Sequence, residues 1–277
     1  MIVPVTSKGG GVGCTTLSVS LALTIKKVFR KKVLLIELTD SQTLSKLLSL
    51  DPSQRCIDML ITDIGFSGAC NITPEDNIYH YGDSDPRKSI DVLLGTRSQD
   101  STYLYKRVES IKALIQSLDA KYDIILLDIP DGDLLDTLFH LGLAMYPVNV
   151  ITQEMTLIVD YQQQMKTGSL RGAVIVNILD RGVYPRQDEF LRGFINNPLF
   201  FLSYNPEIRD ILNTAAIHHG VIDFTRFTKL HSFYNELKKI SALIIRCSNK
   251  EEEKEKIKES SEETRLKKSK SFWLFRR

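Results

Sequence analysis

Along the chain, short continuous apolar runs alternate with longer stretches in which apolar residues recur every three or four positions. Ile2–Thr6 is apolar and runs into a glycine cluster, the pattern of a buried strand feeding a loop. Thr15–Phe29 carries Leu17, Leu21, Leu23, Ile25 and Val28 close to helical spacing. Val33–Leu38 (VLLIEL) is continuous, as expected of a strand covered on both faces, and Thr43–Leu50 predicts a short helix ending at Asp51-Pro52. The polar stretch 53–88 reads as loops around a short helix. Ile90–Leu94 predicts a strand, Tyr103–Leu118 an amphipathic helix, and Tyr122–Ile129 (YDIILLDI) the clearest strand of the chain. Ala144–Thr152, Ala173–Leu179 and Leu199–Ser203 continue the strand series, with a helix at Val159–Thr167 and another opened by Asn205-Pro206. That last pair supplies a cap and a first-turn proline.

This order, with strands wholly apolar, predicts the α/β class: one doubly wound, mostly parallel sheet with helices on both faces. A length of 277 residues suits one such domain plus an appendage. The apolar fraction of 43% and charged fraction of 25% belong to an ordinary globular chain. The net charge of +2 is uneven: from Asn249 onward ten Lys/Arg face seven Glu, which gives +3 and leaves 1–248 near −1. A near-neutral body argues against a broad nucleic-acid surface. The boundary therefore falls between a domain at 1–248 and a tail at 249–277. Cys14, Cys56, Cys70 and Cys247 form no CxxC pair and predict reduced cytosolic thiols without zinc. Met1–Thr6 lacks the basic start of a signal peptide, and no apolar run approaches ~18 residues. The chain is expected in the cytoplasm, with peripheral contact at the inner membrane face through its tail.

The candidate chemistry begins at Ser7-Lys8-Gly9-Gly10-Gly11-Val12-Gly13-Cys14-Thr15-Thr16, between the first strand and the first helix. Glycines there let backbone N–H groups turn inward around phosphate oxygens, and the positive end of the helix faces the same anion. Thr15 would place its hydroxyl on Mg²⁺, and Thr16 lies near the α-phosphate. Against the pattern GxxxxGK[ST], Cys14 occupies the lysine position and Lys8 the first glycine. The side chain that reaches the β- and γ-phosphates is missing, which weakens triphosphate binding or turnover. Taken alone, the loop also reads as a glycine-rich turn with no ligand. Cys14 at a helix N-terminus reads either as a reactive thiol or as a small tolerated replacement. His218-His219 lacks partners at ligand spacing and reads as a helix end before Gly220.

The loop resembles the deviant Walker A motif of the MinD/ParA family, in which a signature lysine precedes two glycines. Lys8-Gly9-Gly10 matches that triplet, with one extra glycine before Val12-Gly13. The resemblance covers about residues 1–245. Val33–Pro52 is similar to the family's second strand and helix; Glu37 falls on its first Asp, Thr39 on its second, and Asp40 one place late. Tyr122–Gly132 resembles the Walker B strand, with Asp128 holding a water of the Mg²⁺ shell, although an Asp there can also cap a helix. Ala173–Asn177 is similar to the strand whose Asn meets the adenine edge. Ser203–Gly220 is similar to a late loop beside the base. The resemblance implies a P-loop NTPase fold that binds ATP and Mg²⁺ through Gly9–Thr16, Asn177 and Asp128, with Lys8 and Asp40 as the catalytic candidates. It further implies a homodimer that positions a division site, a pilus or flagellar machine, or a DNA cargo. Hydrolysis is expected to be weak or absent. Relatives of the TadZ/CpaE type also carry altered loops.

Arg265–Arg277 (RLKKSKSFWLFRR) has six basic residues, no acidic ones, and the cluster Phe272-Trp273-Leu274-Phe275. This composition fits an anionic membrane surface. A docking peptide for an unidentified protein partner and a nucleic-acid arm are the other readings. Two functional alternatives stand beside the positioning protein. One is an active ParA-like DNA-partition ATPase; the other is an interaction module that binds no nucleotide.

Overall fold

The computed structural model describes residues 1–277 apart from 69–71, 83–88, 130–131, 168–170, 181, 195–196, 218–221, 223–230 and 250–277. His218, His219, Cys70, Pro130 and the basic-aromatic tail thus lie outside the described residues. The chain divides into a compact unit, Met1–Ser241, and a second unit, Ala242–Arg277. Residues 231–249 are helical.

The strands are β1 (Ile2–Thr6), β2 (Val33–Glu37), β3 (Tyr79–Tyr81), β4 (Ile90–Leu93), β5 (Ile124–Asp128), β6 (Val148–Ile151), β7 (Ala173–Leu179) and β8 (Leu199–Ser203). They form one sheet in the order β3-β4-β2-β5-β1-β6-β7-β8. Every pairing is parallel except β3–β4 at the edge. β1, β2, β5 and β6 are buried along their whole length, which explains their uninterrupted apolar sequences. The chain order reverses at β1, the position at which open α/β sheets bind ligands at the carboxyl ends of their strands. β1 and β5 share four registered pairs, from Ile2–Ile125 to Val5–Asp128. β1 and β6 share only Val5–Val148 and Thr6–Asn149. Below these, Tyr146 N donates to the Ile2 carbonyl at 3.0 Å, and the intervening Pro147 has no N–H to offer.

On one face, α3 (Ile57–Ser67), α5 (Val108–Asp119) and α6 (Gly132–His140) pack onto Ile2, Leu34, Ile36, Ile125 and Leu127. α7 (Met155–Lys166) and α8 (Gln187–Gly193) extend that layer with Ile158, Tyr161, Phe190 and Phe194 over Val174 and Val176. α1 (Cys14–Thr24), continued by a π-helical turn at Ile25–Phe29, packs on β1, β2 and β5. The alternate buried residues Val3, Val5, Leu35 and Leu126 face it. Two short helices, α2 (Thr43–Leu48) and α4 (Tyr103–Lys106), follow β2 and precede α5.

The segment 53–88 departs from the sequence expectation. It holds a core helix of 11 residues, α3, besides the edge strand β3. Ile57, Leu60, Ile61 and Ile64 are its buried residues, set at the i, i+3, i+4, i+7 spacing of an apolar stripe. α6 and α8 also stand where the sequence reading names no helix. The helix opened at Asn205 is α9 (Pro206–Ile217), and Asn205 Oδ1 accepts from Glu207 N at 3.0 Å.

Candidate functional site

The loop between β1 and α1 turns on two glycines in the left-handed region, Gly11 at φ 74° and Gly13 at φ 92°, a conformation that L side chains adopt only under strain. Gly13 is the N-cap of α1 and supplies no side-chain bond to it. The first intrahelical bond runs from Leu17 N to Gly13 O at 2.9 Å. The amides of Cys14, Thr15 and Thr16 precede that bond and form the positive end of the helix.

Side chains fasten the loop from outside. Gly9 N donates to Ser7 Oγ at 3.1 Å. The buried Tyr161 hydroxyl takes the Lys8 backbone N–H and the Ser7 hydroxyl. A Cβ on Gly9 would fall 2.9 Å from the Leu157 side chain, so α7 lies directly against the loop. Asn177, on β7, donates from Nδ2 to the Val12 carbonyl at 2.8 Å. The amides of Lys8 and Gly9 are thus engaged by the protein, and the stretch from Gly10 to Thr16 remains as the anion cradle.

Beneath that cradle, β2 and β5 place Glu37 and Asp128 side by side in register. Both carboxyls are fully buried. Glu37 is held by Leu44 N (2.8 Å) and Gly95 N (3.0 Å). Burial raises its pKa, while those amides, the Thr43 N–H and Lys46 oppose the rise. Asp128 accepts from Ser18 Oγ at 3.2 Å, but its Oδ2 has no hydrogen-bond partner among the described residues. Burial, and then the charge of Glu37, push its pKa up to about 7, against the opposing pull of the Thr15 and Ser18 hydroxyls.

An unpartnered carboxylate oxygen under an uncapped helix N-terminus fits a hydrated divalent cation carried by an anion. Asp128 would accept from a metal-bound water, and Thr15 lies beside it. Among the described residues no three His, Cys, Asp or Glu side chains gather as a metal cage.

The remaining candidates are placed differently. Cys14 is buried, and burial with the nearby Asp128 charge pushes its thiol pKa well up. Both causes work against the thiolate that an activated nucleophile needs. Lys8 is exposed, with its stem beside Gly132 at the start of α6. Asp40 is exposed in the bend after β2, three residues beyond Glu37. Loop, Asp128 and Asn177 come together. Ser18 and Tyr161 are site residues absent from the sequence reading. Ser18 has a visible signal, since it stands one helical turn after Thr15; Tyr161 has none.

The family model described as AAA domain (AAA_31) matches residues 1–157, which carry the loop, Glu37 and Asp128. The match spans more than half of the chain. The chain belongs to the AAA_31 family. Among curated protein sequences nothing matches this AAA_31 protein. Its fold is that of MinD and ParA-family ATPases. The septum site-determining protein MinD of Pyrococcus horikoshii OT3, solved with Mg-ADP, superposes at a TM-score of 0.63 with 19% identity, covering 88% of this chain and 95% of the other. Cell division ATPase MinD of Pyrococcus furiosus gives 0.65 at 20% identity, with coverage of 89% and 98%. A ParA family ATPase of Chlorobium tepidum TLS gives 0.65 at 14% identity, with coverage of 87% and 98%.

Proposed function

We propose that this protein binds ATP with Mg²⁺ in the cradle from Gly10 to Thr16 and acts as a nucleotide-gated positioning protein with slow or no hydrolysis. One observation carries the reading: the buried, unpartnered Asp128 oxygen beneath the uncapped start of α1. A carboxylate kept there costs stability when charged and empty, and a hydrated cation on a polyphosphate removes that cost. When bound, Mg²⁺ would neutralise phosphate charge; Thr15 and Asp128 would hold it, and the α1 amides would orient the phosphates.

The weak-hydrolysis half of the proposal rests on Cys14 and on the sequence around Thr39. A neutral buried thiol supplies no positive charge where phosphoryl transfer gathers negative charge. Thr39 bonds to Ser41 and has no carboxylate to orient a water. Met155 and Val159 on α7 and Ile178 beside Asn177 are exposed apolar residues near the loop, and they favour a second copy docking on the nucleotide-bearing rim. No helix among the described residues is long and apolar enough to cross a membrane. Contact with an anionic membrane surface falls to the basic-aromatic segment Arg265–Arg277.

Titration of fluorescent ATP with Mg²⁺, beside phosphate-release kinetics, tests the proposal. Saturable binding with turnover far below that of lysine-bearing P-loop ATPases is expected, and an absence of saturable binding would overturn it. Sedimentation with and without nucleotide reads the dimer. Liposome pelleting of the full chain against 1–248 reads the tail, and equal pelleting removes the membrane role.

A further inference from the structure

We infer that Asn177 is a positioning residue for the phosphate cradle, setting the direction of the Gly13 N–H by holding the Val12 carbonyl; this rests on the nucleotide-binding reading above. A trans peptide points its C=O and N–H in opposite directions. Once Asn177 Nδ2 fixes the Val12 carbonyl at 2.8 Å, the Gly13 N–H, within the Gly10–Thr16 stretch, must point away from Asn177. The bond spans 165 residues of sequence, so it is a tertiary fastening of the loop and not a local turn.

Three features show that the contact is built into this part of the fold. A Cβ on Gly13 would lie 2.6 Å from Asn177 Nδ2, so the approach requires the glycine that the left-handed φ of 92° also requires. The β7–β8 ladder shifts register between Val176 and Leu179, on either side of Asn177, and such a bulge re-aims a side chain. Ile178, β-branched, takes a left-handed φ of 56° at that point, a costly conformation that persists where surrounding structure imposes it. Strand irregularity, strained residue and close glycine converge on one amide bond. Asn177 then acts on every polyphosphate, whatever base it carries.

The test compares affinities of the full chain for Mg·ATP, Mg·GTP and inorganic tripolyphosphate in the wild type, Asn177→Ala and Asn177→Asp. The expected result is an equal loss for all three ligands, roughly 10- to 100-fold, the range of one hydrogen bond to a charged group. Asn177→Asp is isosteric and cannot donate, so it keeps the test open should the alanine variant fail to fold. The Gly13 amide resonance supplies a second readout: tripolyphosphate should shift it in the wild type and not in Asn177→Asp. A loss confined to ATP, with tripolyphosphate binding unchanged, overturns the inference in favour of base recognition. Unchanged affinity for all three ligands overturns it also. A wild type that binds none of them overturns the nucleotide reading itself, a distinct outcome.

Discussion

Replacing Asp128 by Asn should stabilise the nucleotide-free protein while removing its response to Mg²⁺ and nucleotide. In the folded chain the carboxyl titrates at about 7, burial being the main cause; unfolded, it titrates near the ordinary Asp value of ~3.9. Between those values the unfolded state gives up a proton that the folded state keeps, so stability falls as pH rises through that window and levels off above the folded value. At ~1.4 kcal/mol per unit, the wild type loses roughly 2 kcal/mol by pH 5.5 and about 4 kcal/mol by pH 8. The Asp128→Asn variant carries no such loss, although its amide would leave a donor unmade where Oδ2 has no partner, at a cost of about 1–3 kcal/mol. The difference between the two proteins should therefore move in the variant's favour by about 2 kcal/mol from pH 5.5 to pH 8, whatever that fixed cost. Urea melts at the two pH values, without nucleotide, measure this directly. A stability difference that does not change with pH would refute the claim that the buried carboxylate is uncompensated. Repeating the melts with Mg·ATP should raise the wild-type midpoint and leave that of Asp128→Asn unchanged.

Three further outcomes are expected. Cys14→Lys should raise ATP turnover, because it puts an ammonium beside Asp128 where a buried neutral thiol now stands, and phosphate release measures it; unchanged turnover means that the deficit around Thr39 dominates. Iodoacetamide at pH 8 should label the Cys14 peptide only in urea, as mass spectrometry of digests will show, since burial and the nearby carboxylate both suppress its thiolate. Leu60→Ala should cost about 2–5 kcal/mol in urea melts, because Leu60 is wholly buried on α3; a cost below about 1 kcal/mol would mean that α3 is not part of the core.

The sheet was legible because each central strand is buried on both faces, so VLLIEL and YDIILLDI leave no polar alternation to confuse the reading. α3 was less so: Thr62, Asp63 and Ser67 interleave its stripe, and the flanks at 53–56 and 68–77 have the polar composition of loops. The loop and Asp128 could be found because local spacing and strand ends encode them. The contacts that hold them could not, even where the residue itself, Asn177, was named. Asn177 acts on the loop across 165 residues and Tyr161 across nearly as many, distances over which sequence pattern says nothing of contact. The surroundings of Cys14 likewise depend on burial and on Asp128 from a distant strand, so its sequence position at a helix N-terminus left both readings of the thiol open.

The thin ladder between β1 and β6 has a mechanical meaning. The sheet is two wings joined at a seam that two registered pairs and one flanking bond close. Asp128 belongs to one wing and Asn177 to the other, so a polyphosphate lodged above the seam would act as a rivet between them. Occupancy could then tighten the joint and alter how readily one wing shears past its neighbour, without any change in either wing's interior.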